Sequence, residues 1–574
     1  MRPGSEYFLE PGEPAQRRYE ALRAYFLEDL TAGQVATRFG YSRANVHQMA
    51  SELRGGHAAF FASSKPGPKG PHKATGRIRD QVLALRAKDR SIKEIAAALT
   101  LAGTPVSAQT VWAILHAEGL ERLPRRGAAE RGPAPRLEPV KAQVLSAWPA
   151  GEQIGCDHAG LFLLIPGLVE LGLPELINAA GYPSTTVLSA WHSLGALLLA
   201  KCARAARVSH TDALSDDRAL GLLLGLSALP KATHLSSYSY RVRRPSNEKL
   251  LGSVTGRLRE IGLATGEQGF NLDFHAIRHH GADTQLEKHY VPRRSQRTRA
   301  ILTFFAQDHA SSEMVYANAD LTKAEQAREV IAFADYWQKV TGSDPGLLVF
   351  DSKLTTYKIL SELSQRGIRW MTLRERGGKL LADLNTRPAN EWKTIRIDRA
   401  GRYRCPQIHD QLTAIKGIDG PVRQLGVRNI GREQPTLLIT NDLTATNKHL
   451  FARYAERMNI ENELDAYIGG FHLDALTSGL PLNVDLDTTL TVIAGNLYRL
   501  LARRLPRYQH ATPDRLWRHF LNATGTLQLT PDTITVDLRL RTHHPVLIDA
   551  GLADQTTTIP WLDGRQLRFR FPPR

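Results

Sequence analysis

A short, continuous apolar segment constrains the fold of this chain most. The sequence "GLLVFDSK" at 346–353 places four apolar residues in a row and then reaches Asp351. Apolar runs of this length without alternation are typical of strands that are buried on both faces, in sheets covered by helices. A helical pattern at 322–340 precedes the segment, and the apolar stretch "IRWMTLR" at 368–374 follows it. The segment therefore predicts an α/β domain.

Further strand patterns lie on both sides of this segment. Upstream, "GFNLDFHAI" (269–277), "RAILTFFAQD" (299–308) and "EMVYANA" (313–319) predict three strands. Downstream, from about 377 to 443, short β patterns are separated by Gly, Pro and Asp, which is typical of an antiparallel insertion. A helix containing "YAERMNIENEL" at 454–464 is expected to follow the insertion.

The remaining sequence divides by composition into helical units, linkers and a C-terminal appendage. The predicted segments are a helix-turn-helix unit (1–62), a basic Pro/Gly linker (63–74), a second helix-turn-helix-like unit (75–121), a second linker (122–154), a helical domain (155–265), the α/β domain with its β insertion (266–510) and a mixed or β appendage (511–574). At 574 residues, the chain is long enough for several domains of ordinary size.

The first helical unit has the rhythm of a helix-turn-helix. An apolar face that includes Val35 and Phe39 leads to Gly40, which permits the turn, and Ser42 is suited to cap the next helix. That next helix carries four side chains suited to base edges and phosphates: Arg43, Asn45, His47 and Gln48. The same pattern also fits a plain helical hairpin that binds nothing.

The second helical unit has a similar pattern of capped helices around a turn. Ser91 and Glu94 have the spacing of a capping box, and Ser107 is suited to cap the helix after a Gly103–Pro105 turn. Two such units in series favour DNA binding more than either does alone. The net charge of +17 also favours a polyanionic partner, with nucleic acid as the first candidate and an acidic membrane surface as the second.

Several classes of protein are not expected. No apolar run approaches the length of a membrane-spanning helix, and the N-terminal residues lack the apolar core of a signal peptide. The three cysteines, Cys156, Cys202 and Cys405, form no CxxC pair, so neither a disulfide framework nor a cysteine-based zinc site is indicated. We therefore expect a cytoplasmic protein without a membrane partner.

Three carboxylates are the candidate catalytic residues. Asp273 interrupts an apolar strand, Asp351 stands where a buried strand ends, and Glu461 lies on the later helix. Burying a carboxylate among apolar residues costs free energy unless a positive charge or a metal ion compensates it. In α/β sheets, ligands often bind at the ends of strands. Three carboxylates in one site suit Mg²⁺ or Mn²⁺. Taken singly, each acid also fits a cap or turn.

Tyr454, Arg457 and Glu461 complete a recognisable pattern. With "NLDFH" around Asp273 and "LLVFDSK" around Asp351, the Tyr-x2-Arg-x3-Glu spacing resembles that of bacterial insertion-sequence transposases of the DDE class. The resemblance covers about 150 to 505 and includes "ALPKATHLSSY" before the α/β region. It implies an RNase H-like core, with the first Asp on the first strand, the second after the fourth strand, and a β insertion before the glutamate.

The resemblance also implies roles for individual residues. Asp273, Asp351 and Glu461 would bind two Mg²⁺ or Mn²⁺ ions, which clamp the attacking and leaving oxygens of a phosphodiester. Arg457 and Tyr454 would contact phosphates near the cleaved end, with Lys353 and Arg374 as lesser DNA contacts. The expected partner is double-stranded DNA, both transposon ends and target, bound by a homodimer on paired ends and associated with the bacterial nucleoid.

One position departs from the family pattern, and several other residues compete for roles. The signature places a lysine seven residues after the glutamate, where this chain has Ile468, which removes one expected phosphate contact. A histidine cluster is interpreted as exposed or facing DNA because it lacks regular metal-ligand spacing: His275, His279, His280 and His289. Lower-ranked alternative acids are Asp344, Asp442, Glu463 and Asp465.

Two other functions fit the same residues. The first is a DNA-binding regulator that descends from a transposase and has no catalytic activity. The second is a nuclease that uses an RNase H-like core without strand transfer. The helix-turn-helix patterns favour recognition of specific DNA ends over general nuclease activity.

Overall fold

The computed structural model of the chain describes residues 6–9, 11–55, 76–102, 104, 106–120, 123, 141–215, 217–279, 286–291, 296–397, 405–475 and 478–571. These residues belong to two compact units, Met1–Leu137 and Glu138–Arg574. The predicted linker at 63–74, the predicted turn residues Gly103 and Pro105, and His280 lie outside the described residues.

The first unit is helical. Its helices are α1 (Glu6–Leu9), α2 (Pro14–Leu27), α3 (Ala32–Phe39), α4 (Arg43–Arg54), α5 (Gly76–Arg86), α6 (Ile92–Leu101) and α7 (Ala108–Ala117). Two apolar cores form here, one beneath α2, α3 and α4 that includes Val35 and Val46, and one beneath α5, α6 and α7 that includes Ile95 and Val111.

The predicted helix caps of the first unit are confirmed. The Ser42 hydroxyl accepts the Asn45 N–H at 3.2 Å, and Gly40 ends α3 in the left-handed conformation at φ 71°. Ser91 and Glu94 form the expected capping box, and Ser107 accepts the Thr110 N–H at 3.1 Å. These caps matter because each satisfies backbone donors that the first helical turn leaves unpaired.

The second unit mixes helices and strands. Its helices are α8 (Ile165–Leu171), α9 (Leu173–Ala179), α10 (Ala190–Cys202), α11 (Asp212–Ser215), α12 (Arg218–Leu223), α13 (Ala232–Ser239), α14 (Arg244–Glu260), α15 (Glu329–Thr341), α16 (Tyr357–Gln365), α17 (Gly378–Asn385), α18 (Asn447–Ala455), α19 (Met458–Phe471), α20 (Pro481–Arg504), α21 (Pro513–Leu516) and α22 (His544–Asp549). Its strands are β1 (Gln153–Cys156), β2 (Phe270–Arg278), β3 (Lys288–Val291), β4 (Gln296–Asp308), β5 (Met314–Asn318), β6 (Leu347–Val349), β7 (Arg369–Leu373), β8 (Lys393–Thr394), β9 (Gln407–Thr413), β10 (Val422–Arg428), β11 (Thr436–Thr440), β12 (Gly525–Leu529), β13 (Thr533–Leu538), β14 (Thr557–Ile559) and β15 (Arg565–Arg570).

A ten-stranded mixed sheet runs through the middle of this unit. Its order is β3-β4-β2-β6-β7-β11-β10-β9-β8, and β5 pairs with the far half of β4. Strands β2, β6 and β7 are parallel, whereas β4 is antiparallel to β2. The α/β class is therefore confirmed as a mixed sheet with helices. The predicted β insertion contributes β8 to β11 and also contains a helix, α17, which the sequence patterns did not indicate.

The insertion does not form a separate sheet. Strand β11 pairs antiparallel with β7, so that Leu438 lies opposite Leu373 and Thr440 opposite Met371. The sheet thus continues from the parallel strands into the insertion without a break. Buried side chains on both parts, including Val349, Met371 and Leu438, share one apolar cluster that stabilises this junction.

The two faces of β2 carry different chemistry, because strand side chains alternate. On one face, the Phe270 ring packs against Trp337 of α15 at a centroid distance of 4.5 Å. On the other face, Asn271 and Asp273 meet arginines from the α18–α19 region. The strand is thus anchored by an aromatic core on one side and presents polar groups on the other.

A second sheet joins distant parts of the sequence. Its order is β1-β12-β13-β15-β14, so residues 153–156 pair with a strand more than 350 positions later. Part of the predicted 122–154 linker is consequently folded: Val144 bridges to Leu226, and the Trp148 indole N–H donates to the Thr530 carbonyl at 2.8 Å. The Pro- and Arg-rich composition that suggested a linker ends before these residues.

Within the described ranges, no single helix is long and apolar enough to cross a membrane. One bent helix pair, Ala159–Leu171 with Leu173–Ala179, meets the criteria of length and composition.

Candidate active site

The pairing of β2 with β6 brings two of the three candidate acids together. Asn271 lies opposite Val349 in the parallel register, and Asp273 and Asp351 each follow two residues later. Asp351 lies just past the end of β6, and its charge acts on Asp273, so the two carboxylates lie near each other at this end of the strand pair. The Ser352 N–H donates to the Asp351 carboxylate at 2.7 Å, and the Phe274 N–H donates to Asp273 at 2.8 Å.

The segment with Tyr454, Arg457 and Glu461 lies across the same face. The expectation of one continuous helix was wrong, because α18 ends at Ala455 and α19 begins at Met458. Between them, the backbone tightens into i to i+3 hydrogen bonds, such as the one from the Arg457 N–H to the Tyr454 carbonyl at 3.1 Å. The break places Arg457 at the start of α19, above β2.

Arg457 connects the first and third acids. One guanidinium nitrogen lies 3.5 Å from the Asp273 carboxylate, and the other donates to Glu461 at 2.5 Å. The side chain of Arg457 is 10% exposed, that of Asp273 is 20% and that of Glu461 is 38%. The three sequence-predicted residues are therefore joined in one partly buried network.

A second arginine supports this arrangement, and sequence reasoning missed it. Arg453, one helical turn before Arg457, donates to the Asn271 side chain at 2.7 Å and to the Gln268 carbonyl at 3.3 Å. Burial lowers the pKa of Arg453 to about 10. The available signals were the i, i+2 spacing of Asn271 and Asp273, which places both on one face of β2, and the i, i+4 spacing of the two arginines, although a helix break separates them in the structure.

The electrostatics of Asp273 reflect its surroundings. Burial raises the pKa of its carboxyl to about 6; the guanidinium of Arg457 opposes the rise, and the nearby charges of Glu461 and Asp351 add to it. Asp273 therefore lies within electrostatic reach of both other candidate acids. The Arg457 guanidinium contacts Asp273 and Glu461 and is not seen to contact Asp351 among the described residues, so the site can accept further positive charge.

Tyr454 lies at the inner side of this network. Its ring packs against the apolar cluster that includes Val349, and the Arg457 guanidinium lies 5.9 Å from the ring centroid. Its hydroxyl is buried and makes no hydrogen bond of ordinary geometry with the described residues, although the neighbouring Arg457 guanidinium acts to lower its pKa. Burial raises the pKa of Tyr454, and the charge of Asp351 adds to that rise. The hydroxyl is thus a neutral donor at physiological pH.

His275 extends the polar face of β2 beyond Asp273. Its Nε2 lies 2.6 Å from the carboxylate of Asp474, a residue of the "FHLDAL" segment that follows α19. This contact joins β2 to the segment that follows α19, the helix that carries Glu461. Of the other histidines in the predicted cluster, His289 is buried and lies 3.7 Å from Glu287, while the His279 N–H donates to the Arg299 carbonyl.

The alternative acids have structural partners. Asp344 pairs with Arg366, and Asp442 pairs with Arg369 at 3.2 Å while accepting the Thr444 and Ala445 N–H groups at 3.0 Å. Glu463 pairs with Arg499. Asp465 is exposed on α19. None of these acids is seen in contact with Asp273 or Asp351 in the part of the chain that the structure describes.

The rotation of α19 is fixed by its contact with α20. Arg499 of α20 pairs with Glu463 and lies 3.8 Å from the fully buried Glu313. The Tyr467 ring packs onto Gly495, where an added Cβ would lie 2.0 Å from the hydroxyl oxygen. Glu463 therefore faces α20 while Glu461 faces β2. Ile468, which stands in place of the family's lysine, packs against the main core.

Glu313 predicts a pH dependence of stability. Burial raises its pKa to about 7 from 4.5, against the opposing charges of Arg499 and Arg503. Between these values the folded state holds the proton more tightly than the unfolded state, so stability falls as pH rises. We expect the wild type to lose about 1 to 3 kcal/mol relative to Glu313→Gln from pH 4.5 to pH 7. Melting temperatures of both proteins across this range check this, and parallel profiles would contradict it.

The acid site has suitable ligands for a divalent cation, but their present contacts do not leave all of them free to bind one. The donor set is suitable, because Asp273, Asp351 and Glu461 supply the hard oxygen ligands that Mg²⁺ and Mn²⁺ prefer. In this conformation, however, Arg457 bonds to two of them, and no three His, Cys, Asp or Glu side chains within the described ranges are grouped as metal ligands. The three carboxylates are suitable ligands for a divalent cation. The hydrogen bond between Arg457 and Glu461 must break before all three can bind one.

The other predicted DNA contacts lie in different environments. Lys353 is exposed two residues after Asp351. Arg374 is partly buried, and its guanidinium donates to the Gln424 side chain at 2.6 Å. Lys353 is thus free to reach a ligand at the acid site, whereas Arg374 is directed toward the β insertion.

In the first unit, the four predicted contacts are exposed on α4. Arg43 lies against Gly33 at the start of α3, where an added Cβ would be 3.0 Å from its Nε. Gln48 donates to Glu52 at 3.1 Å, the His47 ring lies 6.3 Å from Tyr25, and the side chain of Asn45 is open to solvent. The helix therefore presents polar side chains outward over a buried apolar face.

Comparison with known proteins gives no assignment. No family model matches the sequence, and no curated protein matches it. The resemblance to DDE transposases remains a prediction from the residues themselves.

Proposed function

We propose that the chain is a DDE transposase with an RNase H-like catalytic core and N-terminal helix-turn-helix units. In this proposal it binds the terminal inverted repeats of an insertion sequence, hydrolyses the phosphodiester at each end and joins the freed 3′-hydroxyl to target DNA. Double-stranded DNA is the partner, and a homodimer on paired ends is the expected assembly.

One observation carries the proposal. Asp273 and Asp351 lie side by side beyond the paired residues of β2 and β6, and Arg457 links Asp273 to Glu461 on the helix that crosses the same face. The first acid lies on β2 and the second follows β6, which is the fifth strand counted from β2, or the fourth if the short strand β3 is left out. Residues separated by 188 positions (461 − 273) thus meet at one site.

The residues of the site have distinct tasks in this mechanism. Asp273, Asp351 and Glu461 would hold Mg²⁺ or Mn²⁺, and such ions supply charge stabilisation and an activated water to phosphodiester cleavage. Arg457 neutralises the carboxylates in the DNA-free state and can offer its planar guanidinium to a phosphate when DNA binds. Tyr454 holds a buried, neutral hydroxyl ready to donate to an oxygen near the acids.

The first unit is proposed to recognise the DNA ends. The polar side chains of α4 lie outside a capped, well-packed three-helix core, as a helix that enters a major groove requires. Arg43, Asn45, His47 and Gln48 would make the base and phosphate contacts. The second three-helix core, with its matching caps, would add a further contact along the same end.

The proposal is tested by strand cleavage. Purified protein is incubated with Mn²⁺ and duplexes carrying the candidate inverted repeats that border the gene, and nicked and joined products are resolved on denaturing gels. We expect end cleavage by the wild type and none by Asp351→Ala, with unchanged binding of the duplex. If the wild type is as inert as Asp351→Ala, catalysis at these ends is unsupported, and cleavage without joining favours a nuclease.

A catalytically silent DNA-binding protein is the second candidate. The observation that favours it is the pairing of Arg457 with both Asp273 and Glu461, which leaves fewer free carboxylate oxygens for cations. The cleavage assay separates the two candidates, because a silent protein binds the ends without breaking a strand.

A further inference from the structure

A compact group of basic side chains lies in the C-terminal part of the second unit. Arg515 lies on α21, Arg518 and His519 lie on the π-helical turn Trp517–Leu521, and Arg541 and His543 lie in the segment after β13. We call these five residues the cationic cluster. None of them belongs to the acid site or to the predicted DNA contacts of the first unit.

The cluster is a built arrangement of side chains. The imidazole rings of His519 and His543 stack with a centroid distance of 3.8 Å and an interplanar angle of 24°. The Tyr508 hydroxyl and His519 Nδ1 lie 2.7 Å apart, and the Arg541 guanidinium donates to the Arg518 carbonyl at 3.0 Å. These contacts join the π-helical turn to the 539–543 segment, and such turns are frequent at functional sites.

The charge of the cluster is poorly compensated. Arg518 pairs with Asp514 at 2.8 Å, but Asp514 also pairs with Arg204 at 2.9 Å. Arg515 lies over the Tyr508 ring, 4.5 Å from its centroid, and is exposed. Burial lowers the pKa of His519, and the groups around it that add to this effect are all basic: His543, Arg515, Arg518 and Arg541. A bound polyanion would remove this repulsion.

The cationic cluster lies near the C-terminal end of α19, the helix that carries Glu461. Gly470 of α19 packs on Pro513 of α21, and Arg204 donates to the Gly469 carbonyl at 2.6 Å while pairing with Asp514. Glu461 precedes Gly470 by nine residues (470 − 461), about 14 Å of helix. At about 3.4 Å per base pair, this distance corresponds to roughly four base pairs of duplex.

We propose that the cationic cluster binds backbone phosphates of duplex DNA, as a contact distinct from the acid site and from the first unit. The inference rests on the proposed function, which makes DNA the polyanion. It goes further by assigning a DNA contact to the C-terminal part of the chain, a few base pairs from the scissile position. Contacts with phosphates fix the position of a duplex and carry no sequence preference.

The test compares two double variants of the full chain with the same loss of charge. Arg515→Gln/Arg518→Gln alters the cluster, and Arg568→Gln/Arg570→Gln removes two exposed arginines of β15 elsewhere in the C-terminal part. Affinity for a fluorescent duplex of arbitrary sequence is measured by anisotropy across a series of salt concentrations. Each lost phosphate contact lowers the slope of log K against log salt by about 0.9.

We expect the cluster variant to lower this slope by about 2 and the β15 variant to leave it unchanged. Equal slopes for all three proteins, or equal losses in both variants, would overturn the proposal. If the double variant does not fold, Arg518→Gln alone should lower the slope by about 1. Binding of phosphatidylserine vesicles that depends on the cluster, without a change in DNA binding, would also overturn it.

The result of this binding test can be distinguished from the result of the strand-cleavage test of the proposed function. Duplexes of arbitrary sequence require neither inverted repeats nor strand cleavage. A wild type that cleaves ends while the cluster variant keeps the full salt slope rejects the cluster contact and leaves the transposase proposal intact. A wild type with cluster-dependent binding and no cleavage supports the cluster and counts against transposition.

Discussion

Glu461→Gln is expected to lower DNA strand cleavage by about 10²–10³-fold or more, with little change in DNA affinity. The amide keeps the size of the carboxylate but removes the charge, so the site loses one of its three acidic ligands. The Glu461 side chain is 38% exposed, compared with 20% for Asp273, so its replacement by glutamine disturbs little buried packing. Single-turnover cleavage of an end duplex in Mn²⁺ measures the effect.

Glu463→Gln provides the matched control on the same helix. Glu463 lies two residues from Glu461, but it faces α20, where it pairs with the largely buried Arg499. Its replacement should leave cleavage close to the wild-type rate and lower stability by about 1–3 kcal/mol, because the arginine loses its charged partner. In cleavage assays and melting curves, Glu461→Gln should therefore lose mainly cleavage, whereas Glu463→Gln should lose mainly stability. Equal losses of cleavage in both variants would show that Glu461 has no special role.

The contrast between these two glutamates also shows what sequence reasoning could reach. Helical phase alone separated Glu461 from Glu463, because two residues turn a helix by about 200°. The same reasoning assumed an unbroken helix through Tyr454, whereas α18 and α19 meet at a two-residue break. No Gly or Pro marks this break. It accompanies the contacts of Arg453 and Arg457 with β2, which are tertiary and lie outside any local pattern.

The strands were predictable, but their partners were not. Alternation and apolar runs indicated β2, β4, β5, β6 and β7, since those signals lie within each segment. The register that sets Asp273 beside Asp351 joins residues 78 positions apart (351 − 273), and local patterns do not encode such pairing. The union of the β insertion with the main sheet, and of β1 with the C-terminal strands, depends on the same kind of distant pairing.

The largest effect on stability is expected from Asp485. This residue of α20 is fully buried, and its carboxylate accepts the Arg244 guanidinium at 2.8 Å, the Asn247 amide at 2.7 Å and the Ala319 N–H at 2.9 Å. It thereby joins α20 to α14 and to the residue after β5. Asp485→Asn removes the carboxylate that pairs directly with the largely buried Arg244 guanidinium, which costs about 3–5 kcal/mol.

Glu260→Gln is the control for this loss of charge. Glu260 pairs with Arg257 at 2.7 Å, but both side chains are well exposed, at 63% and 48%. Such pairs contribute at most about 1 kcal/mol, because water already solvates both groups. Urea unfolding followed by tryptophan fluorescence should therefore show a large shift of the midpoint for Asp485→Asn and almost none for Glu260→Gln. Similar midpoints would mean that the hydrogen bonds of Asp485, rather than its charge, hold α20 in place, since asparagine retains part of them.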